Sequence, residues 1–266
     1  MTTDNNPRTL KTVENTCEIL NALKELNGAR LTELADHLGM SKGGVYNHLA
    51  TLQNEEYVVK TGKEYKLSHR FFNMGEFVKH RNKLYSVGKS EVDKLAEETG
   101  ESTHLMIEQF GKGTYYHKAR GQMGISQDYH QNLLEETDYL HWTSTGKAIL
   151  ANMTKERVEE IVDQHGLPSM TENTITEISE LFDELDEIRD RGFALNDEEQ
   201  IRGVRAVGAC VKDHQDDILG AISVSGPTSR ISDEKFYDTY PELVMQTANV
   251  IEVACDTQGS DFNPDI

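Results

Sequence analysis

The sequence predicts an α+β protein with a winged helix-turn-helix at the N-terminus, a linker helix and a larger C-terminal α/β domain. Apolar residues recur at three- and four-residue spacing through the first 54 positions, which is the pattern of amphipathic helices. A strand, a short turn and a second strand follow over 57–67, and helical and β-branched segments then alternate. We expect domains at 1–68, 69–88 and 89–258, and a disordered tail at 259–266.

Charge is distributed unevenly along the 266 residues, whose formal net charge is −19. Residues 1–82 hold 11 basic and 10 acidic side chains, a net charge of +1, whereas the remainder holds 16 and 36, a net charge of −20. A near-neutral module is thus joined to a strongly acidic one. Such a high density of acidic side chains indicates adaptation to a salt-rich cytoplasm. The alternative is an ordinary acidic protein.

The composition argues against several classes of protein. No stretch approaches the roughly 20 apolar residues of a membrane span, and residues 1–9 lack the apolar core of a signal peptide. Cys17, Cys210 and Cys255 show no C-x-x-C spacing, which predicts a reduced cytoplasmic protein without disulfides or zinc. Nucleophile elbows, H-E-x-x-H, Walker and G-x-G-x-x-G motifs are missing from the sequence, so we predict neither enzyme activity nor a cofactor.

The N-terminal module contains three predicted helices. Asn27-Gly28 ends the first with a left-handed cap, and Thr32 is placed to cap the second. Ser41 is placed to cap the third, which spans about 42–54 and follows a turn that contains glycine, as in a helix-turn-helix. The residues expected to face inward are Leu10, Val13, Cys17, Leu20, Leu23 and Leu26, then Leu31, Leu34, Ala35 and Leu38, then Val45, Leu49 and Leu52.

A predicted β-hairpin after the third helix forms the wing and suggests DNA as the partner. Its strands lie at 57–60 and 65–67, its lysines suit phosphate contact, and Asn47 can bond bidentately to adenine. Gly43 and Gly44 each lower the stability of a helix by about 0.5–1 kcal/mol relative to Ala. Either the helix starts late, therefore, or its backbone approaches DNA closely. A winged helix that binds protein is the alternative. The predicted DNA contacts are Ser41, Lys42, Gly43, Gly44, Tyr46, Asn47, Thr51, Lys60 and Lys63.

Three segments of this module resemble the IclR family of transcriptional regulators. They read TVENTCEIL at 12–20, LTELADHLGMSK at 31–42 and VYNHLATL at 45–52. The family typically has Ser-Thr in place of Gly43-Gly44 and often His-Arg in place of Tyr46-Asn47, which leaves the operator sequence open. The resemblance implies sequence-specific binding of double-stranded DNA.

The C-terminal part resembles the same family, with its motifs in the expected order. They read HWTSTGKAILA at 141–151, RGFALNDEE at 191–199, GVRAVGA at 203–209 and GAISVSGP at 220–227. The resemblance spans nearly the whole chain and implies a GAF- or profilin-like sheet with helices around it. The acidity is similar to that of haloarchaeal members.

Residue chemistry and the resemblance together predict an effector pocket in this domain. Residues 144–146 open a helix, where free N–H groups favour an anion, and Ser223 and Ser225 alternate on a strand and so share a face. Asn196 and Ala206 replace the Asp and Cys of many members, which suggests a neutral sugar or a sugar acid. The alternative is that these polar groups only satisfy the backbone. The predicted effector-binding residues are Ser144, Thr145, Gly146, Asn196, Ala206, Ser223 and Ser225.

The predicted linker helix at 69–88 carries apolar residues that suit either a dimer seam or packing on its own domain. These residues are Phe72, Met74, Phe77, Val78, Leu84 and Tyr85. Further helices are predicted at 87–99, 181–191 and 236–254, and strands at 103–110, 114–118 and 218–224.

We therefore predict a homodimeric or homotetrameric regulator that reads a pseudo-palindromic operator. A sugar or organic acid would shift it between DNA-competent and incompetent states, and its targets would be catabolic genes. A metal-responsive sensor is an alternative, although His104, His117, His130 and His141 are spaced more widely than the usual ligand pairs on one element.

Overall fold

Two antiparallel sheets, one of three strands and one of six, organise the computed structural model of the chain. The structure describes residues 8–124 and 138–257, and the predicted tail at 259–266 lies outside them. The chain divides into two units between Lys79 and His80, and each unit has a core of its own.

The N-terminal unit is the predicted winged helix-turn-helix. Its core joins the three helices to the hairpin through Ile19, Leu34, Leu49 and Tyr65. A short strand that the sequence pattern does not indicate pairs with the second strand of the wing. The elements are α1 (Lys11–Glu25), β1 (Ala29–Arg30), α2 (Leu31–Leu38), α3 (Lys42–Asn54), β2 (Val58–Thr61), β3 (Glu64–Leu67) and α4 (Arg70–Arg81).

Two details of the first helices differ from the prediction. The predicted inward stripe of α1 is wrong for most of its length. Leu10, Val13, Cys17 and Leu26 are exposed, because the helix packs on the core through Ile19, Ala22 and Leu23. The prediction that Thr32 caps α2 is wrong. Pairing of β1 with β3 places Arg30 at the N-cap, where its N–H donates to Glu33 Oε2 at 2.7 Å.

The predicted linker helix at 69–88 is two helices, α4 and α5 (Lys83–Thr99). The break comes at Asn82, whose side-chain oxygen accepts a hydrogen bond from the N–H of Tyr85 at 3.3 Å and so starts a new helix. Leu84 and Tyr85 are buried in the C-terminal unit and contribute nothing to an exposed seam. The exposed apolar residues that remain on α4 are Phe72, Met74, Phe77 and Val78.

The C-terminal unit is a six-stranded antiparallel sheet in the order β6-β5-β4-β9-β8-β7, with helices on both faces. This confirms the α/β domain that the sequence predicts. The strands are β4 (Ser102–Gln109), β5 (Lys112–Arg120), β6 (Asp138–Tyr139), β7 (Ala194–Asp197), β8 (Val204–Lys212) and β9 (Ile218–Pro227). The helices are α5, α6 (Ser144–Ala151), α7 (Lys155–His165), α8 (Ile178–Arg191) and α9 (Tyr240–Thr257), which a short π-helix at Lys235–Thr239 precedes.

Side-chain alternation divides this sheet between two cores. Leu105, Ile222 and Val224 face α5 and α9, whereas Met106 and Ala221 face α6, α7 and α8. By the same alternation, Ser223 and Ser225, the neighbours of Val224 on β9, face α6. The serines predicted to bind an effector therefore lie on the α6 side of the sheet.

Candidate DNA-binding surface and effector pocket

The third helix, α3, begins at Lys42 and presents a polar surface opposite its buried stripe. Ser41 Oγ accepts the N–H of Gly44 at 3.1 Å, and Val45 and Leu49 are fully buried. Both glycines lie inside the helix, so the expectation of a late start is wrong. A Cβ at Gly43 would meet no atom within 4 Å, which means that the unit itself does not require glycine there.

The remaining predicted DNA contacts on α3 are on the surface. Tyr46 is 55% exposed, Asn47 and Thr51 are also exposed, and Thr51 Oγ1 donates to the carbonyl oxygen of Asn47 at 3.0 Å. His48, which the sequence pattern does not single out, bonds through Nδ1 to Thr16 Oγ1 at 2.8 Å. That bond ties α3 to α1 and fixes the direction in which its outer face points.

The wing is a tight hairpin that places lysines at and beside its tip. Lys63 follows Gly62, whose φ of 64° is left-handed and suits glycine. Lys60 Nζ lies 5.0 Å from the centroid of the Tyr65 ring, and Lys66 Nζ lies 3.7 Å from Glu64 Oε2. Lys60 and Lys63 are both exposed, which leaves the wing basic at its tip.

A small cavity lies between the C-terminal sheet and the start of α6. Its volume is about 20 Å³, which is room for about one water molecule. Six of the seven predicted effector residues line it: Ser144, Thr145, Asn196, Ala206, Ser223 and Ser225. The sequence pattern missed the other lining residues, which are His104, Tyr115, Thr143, Gln200, Ile201 and Val204.

The polar groups of the cavity are in part already bonded to the protein. Ser223 Oγ lies 3.3 Å from His104 Nδ1. Asn196 donates from Nδ2 to the carbonyl oxygen of Trp142 at 2.5 Å and accepts the N–H of Glu199 at 3.1 Å. Ser225 is 5% exposed, and its Oγ has no hydrogen-bond partner in the described parts of the chain. A hydroxyl in that state is a group that a ligand can satisfy.

Gly146 is not part of the cavity wall, contrary to the prediction. Its N–H donates to Thr143 Oγ1 at 2.9 Å, and a Cβ there would overlap the carbonyl oxygen of Leu140. Gly208 has a related role on β8, because a Cβ there would lie 2.8 Å from the carbonyl carbon of Ser144. These two glycines allow close packing at the start of α6, and the approach of Gly208 to Ser144 brings the helix and the sheet together as walls of the cavity.

Comparison with known proteins decides the family. A profile of the IclR helix-turn-helix domain matches residues 12–62, and one described as bacterial transcriptional regulator IclR C-terminal matches residues 77–253. The chain belongs to the IclR family of transcriptional regulators. It is therefore a DNA-binding regulator and not an enzyme.

Relatives of this IclR-family regulator match over most of their length. A probable HTH-type transcriptional regulator ArcR of Halobacterium salinarum is 33% identical, covering 94% of this chain and 96% of the relative. The acetate operon repressor of Salmonella typhimurium is 28% identical, covering 89% and 87%. The crystal structure of the Thermotoga maritima IclR superposes with a TM-score of 0.72 at 26% identity, covering 93% and 99%.

A buried charge cluster lies next to the cavity. Lys147 of α6 is 1% exposed, and its Nζ lies 2.6 Å from Glu199 Oε1 and 3.2 Å from Glu184 Oε1. Arg191 also reaches Glu184, at 2.9 Å. Burial raises the pKa of Glu199, against the attraction of Lys147. Since Glu199 also bonds to Asn196, the cluster ties the cavity wall to α6 and α8.

The described residues contain neither a metal-binding cluster nor a membrane-spanning helix. No group of three or more His, Cys, Asp or Glu within 8–124 and 138–257 is arranged to hold a metal ion, and His130 lies outside these ranges. None of the helices in the same ranges combines the length and hydropathy that crossing a membrane requires.

Proposed function

We propose that this IclR-family protein is a cytoplasmic homodimer that reads a pseudo-palindromic operator with α3 and the wing, under the control of a small organic effector. The observation that carries the effector proposal is the small cavity with the unpartnered Ser225 Oγ in its wall, among the residues that the structure describes. Its small volume means that a ligand must displace part of the wall in order to enter. Binding would then favour one arrangement of the C-terminal unit over another, which is the differential affinity that regulation requires.

The exposed face of α3 supports direct reading of bases. Asn47 can pair with adenine, Thr51 can contact a phosphate or a thymine methyl, and Lys42 and Lys63 suit phosphates. Gly43 is free of packing constraints within its unit, so close approach of the DNA backbone accounts for it better than the fold does. The acidic remainder of the chain offers DNA no net positive charge. Because molar salt weakens contacts to phosphates, contacts to bases, DNA shape and dimerisation must supply much of the affinity.

We expect Asn47→Ala to weaken binding to the operator by about 1–3 kcal/mol per half-site, the usual worth of a bidentate base contact. Binding to random DNA should change little, because a base contact carries sequence information and a phosphate contact does not. Fluorescence anisotropy with operator and random duplexes in molar KCl measures both. Asn21→Ala, an exposed position of α1, is the matched control.

Lys42→Ala with Lys63→Ala should differ from Asn47→Ala in its effect on random DNA. This pair should weaken operator and random DNA alike and reduce the slope of log affinity against log salt by about 0.9 for each phosphate that is no longer neutralised. A protein-binding winged helix would show neither effect. Unchanged DNA binding in both sets of variants would move the DNA-reading surface away from α3 and the wing.

The exposed apolar face of α4 supports a homodimer. Phe72 is 67%, Met74 47% and Val78 58% exposed, and Met74 and Val78 lie one helical turn apart on the same side. Large apolar side chains grouped on one helix are typical of an interface. A second copy of α4 is the natural occupant, since a two-fold dimer would present two recognition helices to a palindromic site.

Ser223→Ala with Ser225→Ala should weaken the affinity for the effector by about tenfold or more, since each hydroxyl lost is worth about 0.5–1.5 kcal/mol. The measurement is the ligand-dependent rise of the melting temperature across a set of sugars and organic acids. Ser169→Ala is the control, since this exposed serine lies outside the cavity and donates to the carbonyl oxygen of Thr171. An unchanged response in the double variant would place the effector elsewhere.

The similarity to the acetate operon repressor supports the proposal that the protein regulates genes for the use of organic acids. Sugar catabolism is the other target class that we propose. Transcript profiling of a strain that lacks the gene, grown on acetate and on sugars, separates the two.

A further inference from the structure

Lys118 of β5 is a buried amine beside the effector cavity that has no role in the function proposed above. Its Nζ is shielded from solvent and has no hydrogen-bond partner among residues 8–124 and 138–257. The nitrogen lies 3.9 Å from the centroid of the Tyr115 ring, and Tyr115 lines the cavity. Burial lowers the pKa of Lys118 to about 7. A lysine held in this way is unfavourable in the empty protein unless an anion joins it.

The register of the sheet places Lys118 in the row of residues that crosses the cavity wall. Lys118 is the partner of His104, and His104 is the partner of Ser223, so the three side chains share one face at neighbouring positions. His104 Nδ1 is 3.3 Å from Ser223 Oγ, and its ring centroid is 5.4 Å from that of Tyr115. The amine therefore lies against Tyr115, one of the side chains that line the cavity.

The acidic group near Lys118, Asp138, attracts it but forms no hydrogen bond with it. The Asp138 carboxylate instead accepts hydrogen bonds from Gln200 Nε2 at 2.6 Å, from Tyr115 Oη at 3.3 Å and from Trp142 Nε1. Burial raises the pKa of Asp138, against the attraction of Lys118.

We propose that Lys118 binds an acidic group of the effector, so that the ligand of this pocket is an organic acid or a phosphate ester and not a neutral sugar. This inference rests on the effector function proposed above. The cavity must open for any ligand, and the flexible four-carbon stem of lysine lets the ammonium turn into the opened space. The N-terminus of α6, where Ser144 and Thr145 line the cavity, contributes a positive dipole end with the same preference.

The test uses three pairs of acids and neutral counterparts: succinate with succinamide, gluconate with sorbitol, and glucose 6-phosphate with glucose. Melting temperature and operator release are measured with each compound at millimolar concentration in constant KCl. The proteins are the full-length wild type, Lys118→Met and the control Lys155→Met, whose side chain is 66% exposed. The carboxylates and the phosphate ester distinguish the two sources of the acidic group.

We expect at least one acid to stabilise the wild type while its neutral counterpart does not. Lys118→Met should bind that acid about tenfold or more weakly, as loss of a charged hydrogen bond implies, and should melt at a higher temperature than the wild type when empty. A lysine with only a structural role would instead lower the melting temperature when removed.

Three results overturn the inference: a neutral compound that binds as tightly as its acid, acid binding that Lys118→Met leaves unchanged, and a panel in which no acid binds. The effector function can survive any of them. If a neutral compound releases the operator and Ser223→Ala with Ser225→Ala removes that response, the pocket is confirmed and only the role of Lys118 is lost. If no compound of either kind changes melting or operator release, the result counts against both.

Discussion

Lys147→Met is expected to destabilise the C-terminal unit by about 3–5 kcal/mol, because it leaves the buried carboxylate of Glu199 without its cation. Lys147 is 1% exposed and lies within 3.2 Å of both Glu199 and Glu184. Arg191 still faces Glu184, so the uncompensated group is Glu199. Denaturant unfolding followed by circular dichroism measures the change.

Two further variants make that prediction specific. Lys155→Met removes an exposed lysine of similar shape, and its free energy of unfolding should stay within about 0.5 kcal/mol of the wild type. Lys147→Met combined with Glu199→Gln removes the uncompensated charge and should recover a substantial part of the loss. If Lys147→Met alone costs no more than Lys155→Met, the buried cluster does not hold α6 to the cavity wall.

Met74→Asp with Val78→Asp is expected to convert the protein to a monomer and to lower operator affinity by about 100-fold or more, the scale of avidity that two linked sites provide. Both side chains lie on the exposed face of α4, and carboxylates cannot be buried there at low cost. Light scattering after size-exclusion chromatography gives the mass, and anisotropy gives the affinity.

Asn73→Asp is the control for this pair, since it places a new charge on the same helix at an exposed position that is not apolar. It should leave mass and affinity unchanged. A double variant that remains dimeric would assign the dimer contact to another surface, whereas a monomer with full operator affinity would contradict the two-fold reading of DNA.

The N-terminal unit was predictable because its signals are local. Ser41 at the N-cap and the stripe of Val45, Leu49 and Leu52 define α3 from Lys42 to Asn54, as predicted. The linker was harder, because the apolar pattern continues across Asn82 while the side chain of Asn82 caps a new helix. A cap inside a periodic pattern is a weak signal that the apolar residues on both sides obscure.

The effector cavity was predictable only in part. Ser223 and Ser225 could be placed together because they alternate on one strand. Lys118, His104 and Tyr115 could not, because their common face depends on a register shift between Leu105 and Met106. Without that bulge, regular alternation would put Tyr116 and not Tyr115 beside Lys118. The position of that bulge in the β4–β5 hairpin, and the register of β9 against β4, are tertiary properties that one sequence does not display.

The most direct test of DNA reading by α3 is a selection of genomic DNA fragments by the purified protein in molar KCl, with the wild type and Asn47→Ala compared side by side. We expect the wild type to enrich fragments that share a pseudo-palindromic motif with half-sites about one or two helical turns apart, and Asn47→Ala to lose this enrichment. Equal enrichment by both proteins, or no enrichment over random DNA by the wild type at any salt concentration, would contradict sequence reading by this helix.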